Sequence, residues 1–116
     1  MLELLNDVER RTLDAYVSLL VARLGGRLVA IRVFGSVARG ESWPRGMPIR
    51  SDLDLLVLAA APLAPQEQAE LVDATLPLYL ESGRQISPTF RTVAAHSASR
   101  SSAAIDADAV EVWPCR

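Results

Sequence analysis

One stretch, SDLDLLVLAA at positions 51–60, carries the clearest signal for the fold. Residues 53–60 form a nearly continuous apolar run, which predicts a strand that is buried on both faces. Asp52 and Asp54 stand at the start of this run. Side chains two positions apart in a strand point to the same face, with Cα atoms ~7 Å apart. The two carboxylates are therefore expected to lie together at one end of an apolar strand.

This carboxylate pair has two interpretations. Like charges side by side repel each other unless a cation lies between them, and Mg²⁺ prefers carboxylate oxygens together with phosphate oxygens and water. The alternative is a solvated strand end with a capping Asp. Residues 51–60 alone leave both interpretations open.

A second strand is predicted upstream, over residues 27–34, and it ends at Gly35-Ser36. Glycine permits a tight bend and the close approach of a phosphate. We place a helical turn over 37–40, whose first N–H groups would be free to attract an anion. The Ser36 hydroxyl can donate one more hydrogen bond. Alone, this pair is typical of an ordinary turn.

Hydrophobic spacing and chain-breaking residues predict the remaining elements. They are helices over 3–24 and 65–82, a Pro- and Gly-containing loop over 41–50, a strand over 85–93, a weakly helical stretch over 94–105 and a short strand over 109–113. Pro77 should kink or split the second helix, whose apolar residues Ala69, Val72, Leu76 and Leu80 share one face. Pro88 predicts that its strand is an edge strand or contains a bulge.

The order of these elements predicts an α/β (α+β) fold, a small mixed β-sheet with helices packed on it. The length of 116 residues predicts a single domain over 1–116, and such a small domain is expected to have modest stability or to form a homo-oligomer. The net charge of −2 argues against nucleic-acid binding. No stretch is long and apolar enough to predict a membrane span, and the lone Cys115 fits a reducing cytoplasm.

The two motifs together are more specific than either one. Phe34-Gly35-Ser36-Val37-Ala38-Arg39-Gly40, followed by a loop and Ser51-Asp52-Leu53-Asp54-Leu55, closely resembles the active-site signature of the polymerase-β-like nucleotidyltransferase superfamily. Within that superfamily the chain resembles the small, stand-alone minimal nucleotidyltransferase (MNT) domains. The signature covers about a quarter of the chain, and the remaining elements suit these domains in order and length.

The resemblance implies a role for each matching residue. Gly35 and Ser36 would hold the β- and γ-phosphates of a nucleoside triphosphate, and Asp52 and Asp54 would be catalytic residues that bind Mg²⁺. Arg39 would brace the turn or touch phosphate. The resemblance further implies transfer of AMP from ATP to a hydroxyl of a partner, with the domain acting as the antitoxin of a toxin–antitoxin pair with a helical HEPN-domain protein.

The chain departs from the family pattern at one position. Competent members usually carry a third carboxylate on the next strand, but residues 85–91 contain no Asp or Glu, so Ser87 or Thr89 takes the equivalent place. Without that ligand the nucleophile is expected to be poorly activated. Two hypotheses follow, a working nucleotidyltransferase and a module that binds nucleotide or a partner without fast turnover. Nucleic-acid polymerisation is a third, disfavoured by the net charge.

Three further side chains have plain interpretations. His96 is the only histidine and has no neighbouring Cys, so it makes a poor metal site. Trp43 is expected to anchor a loop or an interface, with stacking on a base as the alternative, and Trp113 is expected to pack in the core or at a dimer contact.

Overall fold

The computed structural model describes residues 5–35, 38 and 52–114. The elements are α1 (Asp7–Leu24), a 3-10 turn (Gly25–Arg27), β1 (Leu28–Phe34), β2 (Leu53–Ala59), α2 (Pro65–Asp73), α3 (Thr75–Ser82), β3 (Ile86–Thr92), α4 (Val93–Ala98), α5 (Ser102–Asp108) and β4 (Val110–Trp113). The loop predicted over 41–50, and the turn predicted over 37–40 except for Ala38, lie outside the described residues.

The strands form one mixed sheet in the order β3-β2-β1-β4. β1 pairs antiparallel with both β2 and β4, and β2 pairs parallel with β3. The predicted α+β architecture with a small mixed sheet is therefore confirmed. β3 is an edge strand, as predicted from Pro88. A proline is tolerated there because its missing N–H group faces the side on which no further strand needs a donor.

The core is divided between the two faces of the sheet. Residues 53, 55, 57 and 59 of β2 belong to the larger cluster, which α1 covers with Leu13, Tyr16 and Leu20. Leu56 and Leu58 point to the other face and pack with Ala30 and Ile105 in a smaller cluster. β2 is thus buried on both faces, which explains why its sequence is nearly continuously apolar.

The helix predicted over 65–82 is two helices, α2 and α3, separated at Ala74. Pro77 is the third residue of α3, where the backbone N–H that it lacks would have had no partner within the helix. The prediction that proline would split this helix is confirmed. The weakly helical stretch predicted over 94–105 is likewise two short helices, α4 and α5.

The N-terminal end of α1 is fixed by a buried polar cluster. Asn6, which lies within the helix predicted over 3–24, instead caps it: its side chain accepts from the Glu9 amide at 2.8 Å, and the Glu9 side chain accepts from the Asn6 amide at 3.0 Å. Glu9 also forms an ion pair with Arg84, and their side chains are 1% and 5% exposed. Because Arg84 lies two residues before β3, this pair connects the start of that strand to α1.

Tyr16 connects α1 to α2. Its hydroxyl donates to the Leu71 carbonyl oxygen at 2.7 Å, and burial raises the pKa of Tyr16 well above its ordinary range.

Within residues 5–35, 38 and 52–114, no helix is both long enough and apolar enough to span a bilayer.

Candidate functional site

Three residues lie side by side across the sheet at the start of β2. Phe34 of β1 pairs with Asp54, and Asp54 pairs with Ser87 of β3. Paired residues project their side chains to the same face, and Asp54 alternates with the larger-cluster residues Leu53 and Leu55. Asp54 and Ser87 therefore project to the face that carries the smaller cluster, and both are half-buried.

The turn after β1 lies directly against Asp54. Gly35 has φ +79°, and a Cβ atom at this position would overlap Asp54 Oδ2 and lie 3.4 Å from Asp54 Cγ. Only glycine allows both this backbone conformation and this approach. Ala38, further along the turn, packs against the larger cluster. The structure thus brings together Gly35 and Asp54, two of the residues that sequence analysis assigned to one site.

Of the other predicted site residues, the structure describes Asp52 but not Ser36 or Arg39. Asp52 is exposed and immediately precedes β2, two residues before Asp54. Ser36 and Arg39 lie outside the described residues, as do Trp43 and Cys115. Among the residues that the structure describes, no group of three or more His, Cys, Asp or Glu side chains is arranged to hold a metal ion.

The register of β3 distinguishes the two residues predicted to replace the third carboxylate. Ser87 pairs with Asp54, whereas Thr89 pairs with Leu56, one further row from the turn. Ser87 is therefore the residue beside the carboxylate. Its strand is held by the Leu53 amide, which donates to the Gln85 carbonyl at 2.8 Å, and by the buried Arg84–Glu9 ion pair.

The Arg84–Glu9 pair was not among the features predicted from the sequence. The available signal was Asn6 followed three residues later by Glu9, which is the pattern of a helix capping box. Nothing in the sequence spacing indicates that the same glutamate reaches Arg84, because the two residues are distant in the chain and meet only through the packing of α1 on the sheet.

His96 takes part in a hydrogen-bond network at the other end of this face. Arg91 Nη1 lies 3.2 Å from His96 Nδ1, and His96 Nε2 lies 2.9 Å from Asp106 Oδ1. A guanidinium can only donate, so Nδ1 accepts and the Nε2 hydrogen is donated to Asp106. Both ring nitrogens are engaged in holding α4 and α5 on the sheet. Trp113 packs half-buried against the larger cluster.

Comparison with solved structures identifies the family. A structure assigned to the minimal nucleotidyltransferases is 31% identical to this chain, and the match covers 90% of this chain and 95% of that one with a TM-score of 0.54. The chain belongs to the minimal nucleotidyltransferases. No protein-family model matches it, and neither does any curated protein.

More distant structures have the same fold as this minimal nucleotidyltransferase. A chain of the toxin–antitoxin MntA–HpeT is 18% identical, with 89% of this chain and 73% of that chain covered and a TM-score of 0.56. A chain of a toxin–antitoxin solved with AMP-PNP is also 18% identical, with 89% and 74% covered and a TM-score of 0.56. At this level of identity the likeness establishes the fold.

Proposed function

We propose that this minimal nucleotidyltransferase binds a nucleoside triphosphate with Mg²⁺, with ATP as its substrate, and transfers the nucleoside monophosphate to a hydroxyl of a partner protein. The observation that supports the proposal is the turn at Gly35 lying against the Asp54 carboxylate. In this proposal Gly35, Ser36 and Arg39 bind the nucleotide. Asp52 and Asp54 are the catalytic residues and the metal ligands.

The chemistry of the side chains suits Mg²⁺. Carboxylates are hard oxygen donors, and Mg²⁺ in nucleotide sites is commonly held by one or two of them, with phosphate oxygens and water completing the shell. Asp54 stands on the central strand, and Asp52 is exposed two residues before it. When bound, the ion would offset the negative charge of the triphosphate and of the transition state.

The proposed transfer is a displacement at the α-phosphorus. The acceptor oxygen forms a new bond to this phosphorus, the bond to the bridging oxygen of the β-phosphate breaks, and pyrophosphate leaves. The acceptor proton passes to a carboxylate of the site or to water. Most of the rate would come from positioning and charge stabilisation. For this the fold supplies Asp54 on a strand that is hydrogen-bonded on both sides.

The proposed biological role is that of the antitoxin in a pair with a HEPN-domain toxin, acting in the cytoplasm as a single domain over 1–116. The toxin–antitoxin structures that have the same fold support this role, and one of them was solved with AMP-PNP. The acceptor would be a hydroxyl of the toxin.

Ser87 favours a second candidate, a module that binds nucleotide without fast turnover. It stands beside Asp54 in the register of the sheet, and a hydroxyl supplies neither the negative charge nor the basicity of a carboxylate. General-base assistance is typically worth ~100- to 10,000-fold in rate. The two candidates therefore differ in turnover and agree on nucleotide binding.

One experiment tests both candidates. The chain is incubated with α-labelled ATP, Mg²⁺ and the protein encoded by the neighbouring reading frame, and label on that protein is measured. We expect transfer by the wild type that Asp54→Asn abolishes. We further expect Ser87→Asp to accelerate transfer by ~100-fold or more, the scale of general-base assistance.

Calorimetry with AMP-PNP and Mg²⁺ separates the outcomes. Binding without transfer by the wild type, together with transfer by Ser87→Asp, supports the binding module. An absence of Mg²⁺-dependent nucleotide binding, in a chain whose melting curve shows that it is folded, contradicts both candidates.

A further inference from the structure

The outward side of α2 and α3 carries a set of apolar residues that the fold does not bury. Val72, Leu76, Tyr79 and Leu80 are 44%, 57%, 41% and 74% exposed, and we call these four residues the apolar stripe. Neighbouring residues on the same segment face the core: Leu71 and Thr75 are buried, at 0% and 3% exposed. One side of the segment is thus buried against the core, and the apolar stripe on the other side is left exposed.

The spacing of the stripe is that of a helix face which packs against another element. Val72 lies at the end of α2, and on α3 Leu76 is followed three and four positions later by Tyr79 and Leu80, which places these three residues on one side of that helix. The rotation of α2 is fixed, because the Leu71 carbonyl oxygen accepts the buried Tyr16 hydroxyl at 2.7 Å. α3, which carries the other three stripe residues, is held on its opposite side by the buried Thr75, whose hydroxyl accepts from Gln85 Nε2 at 3.1 Å. Four of the six large apolar residues that are exposed in the described part of the chain lie on this segment, and concentrations of exposed apolar side chains are typical of binding surfaces.

The charged residues of the segment that carries the stripe all have one sign. Residues 65–83 include Glu67, Glu70, Asp73 and Glu81 and no basic residue. Arg27 pairs with Glu67, and Arg23 pairs with Glu70, each at 2.8 Å. Asp73 and Glu81, each one position after a stripe residue, form no ion pair within the described part of the chain. The stripe is thus bordered by two carboxylates that have no ion-pair partner among residues 5–35, 38 and 52–114.

We propose that the apolar stripe binds an amphipathic helix of another protein, one with apolar residues at three- and four-residue intervals and Lys or Arg beside them. The apolar side chains would pack between those of the stripe, and the basic residues would approach Asp73 and Glu81. The surface is separate from the nucleotide site. The stripe lies on helices that cover the larger-cluster face, whereas Asp54 projects to the opposite face.

The acidic border excludes two other occupants. A second copy docked stripe to stripe would bring the Asp73 and Glu81 carboxylates of both copies together, and like charges in contact oppose such an interface. An anionic membrane surface would repel the same carboxylates. A basic amphipathic helix satisfies both the apolar and the acidic parts of the surface.

The test uses a synthetic helical peptide of Leu and Lys, with Leu on one face and Lys beside it, titrated into the ¹⁵N-labelled chain. We expect amide shifts that are largest over residues 69–82, and binding that weakens as salt rises, because the charged border is screened. Leu76→Asp and Leu80→Asp should each weaken binding at least ~10-fold, the factor that corresponds to about 1.4 kcal/mol. Glu81→Gln should reduce the salt dependence.

Matched controls make the result specific. Val93→Asp changes an apolar residue that is 42% exposed on α4 and should leave binding unchanged, and a peptide of the same composition with Leu dispersed around the helix should not bind. Equal binding of the dispersed peptide, shifts centred away from α2 and α3, self-association of the chain through the stripe in sedimentation equilibrium, or binding to anionic vesicles would each overturn the proposal. Because calorimetry of AMP-PNP binding involves no partner protein and does not use this surface, either proposal can fail alone.

Discussion

Replacing Gly35 with alanine tests the contact that brings the turn after β1 against the carboxylate of β2. Gly35 has φ +79°, and an added Cβ would overlap Asp54 Oδ2. Two separate costs result. An L-residue in the left-handed region costs roughly 1–2 kcal/mol, and displacing the Asp54 side chain from its rotamer costs about 0.5–1.5 kcal/mol more.

The chain contains a matched control for the first cost. Gly83 has φ +74°, and a Cβ at this position would meet nothing within 4 Å. Gly83→Ala should therefore lose only the roughly 1–2 kcal/mol of backbone strain. Gly35→Ala should lose about 1 kcal/mol more, which corresponds to a further decrease in Tm of about 4 °C for a domain of this size.

The two variants should differ more strongly in nucleotide binding. Glycine allows the close approach of a phosphate to the backbone, and a Cβ at position 35 would displace the Asp54 carboxylate, so Gly35→Ala should lose most Mg²⁺-dependent binding of AMP-PNP in calorimetry. Gly83→Ala should bind as the wild type does. If the two variants are equally stable and both bind nucleotide normally, then the turn does not lie against Asp54 and the site geometry is wrong.

Three further predictions concern the polar groups that hold α1. Tyr16→Phe should lower the free energy of unfolding by about 1–3 kcal/mol in urea denaturation, because the buried Leu71 carbonyl loses its donor. Since burial raises the pKa of Tyr16 in the folded state, its contribution to wild-type stability is complete below pH ~10 and is lost as the pH rises further; the variant should lack this alkaline loss. Arg84→Met should cost about 3–5 kcal/mol because it removes the cation beside the buried Glu9 carboxylate, and a smaller loss would show that this carboxylate is solvated. Asn6→Ala should cost about 1 kcal/mol by removing the cap of α1, seen as a lower Tm, and an unchanged Tm would contradict the capping box.

The sequence predicted the strands well because each carries a strong local signal. The continuous apolar run after Asp54 identified the central strand, and Pro88 indicated an edge strand. The juxtaposition of Gly35 and Asp54 followed from the resemblance to the nucleotidyltransferase signature, since the two residues are far apart in the chain. Alternation along a strand predicts which of its side chains share a face, but it does not predict the register between two strands. The observed register shows that Ser87, and not Thr89, is the neighbour of Asp54.

The remaining features depend on packing that no local pattern encodes. Helical periodicity placed Val72, Leu76 and Leu80 on one face, and an apolar face ordinarily packs on the core. In the structure these residues are exposed, and Leu71 faces inward. The direction in which a helix faces is decided by its neighbours, for α2 by the hydrogen bond from Tyr16 to Leu71 and for α3 by the buried Thr75 that accepts from Gln85. Pairs between distant residues, such as Arg84 with Glu9, are likewise set only when helices and sheet come together.

The position of β2 between two hydrogen-bonded strands has a consequence for how the molecule opens. Amides on a central strand exchange with solvent only when a large part of the fold unfolds, whereas edge strands can fray separately at lower free energy. Asp54 stands on that central strand, while Ser87 stands on an edge. The backbone around Asp54 should therefore open only when the whole domain unfolds, whereas the strand that carries Ser87 can separate from the sheet by itself. Hydrogen exchange should protect the amides of residues 54–58 far longer than those of residues 87–91.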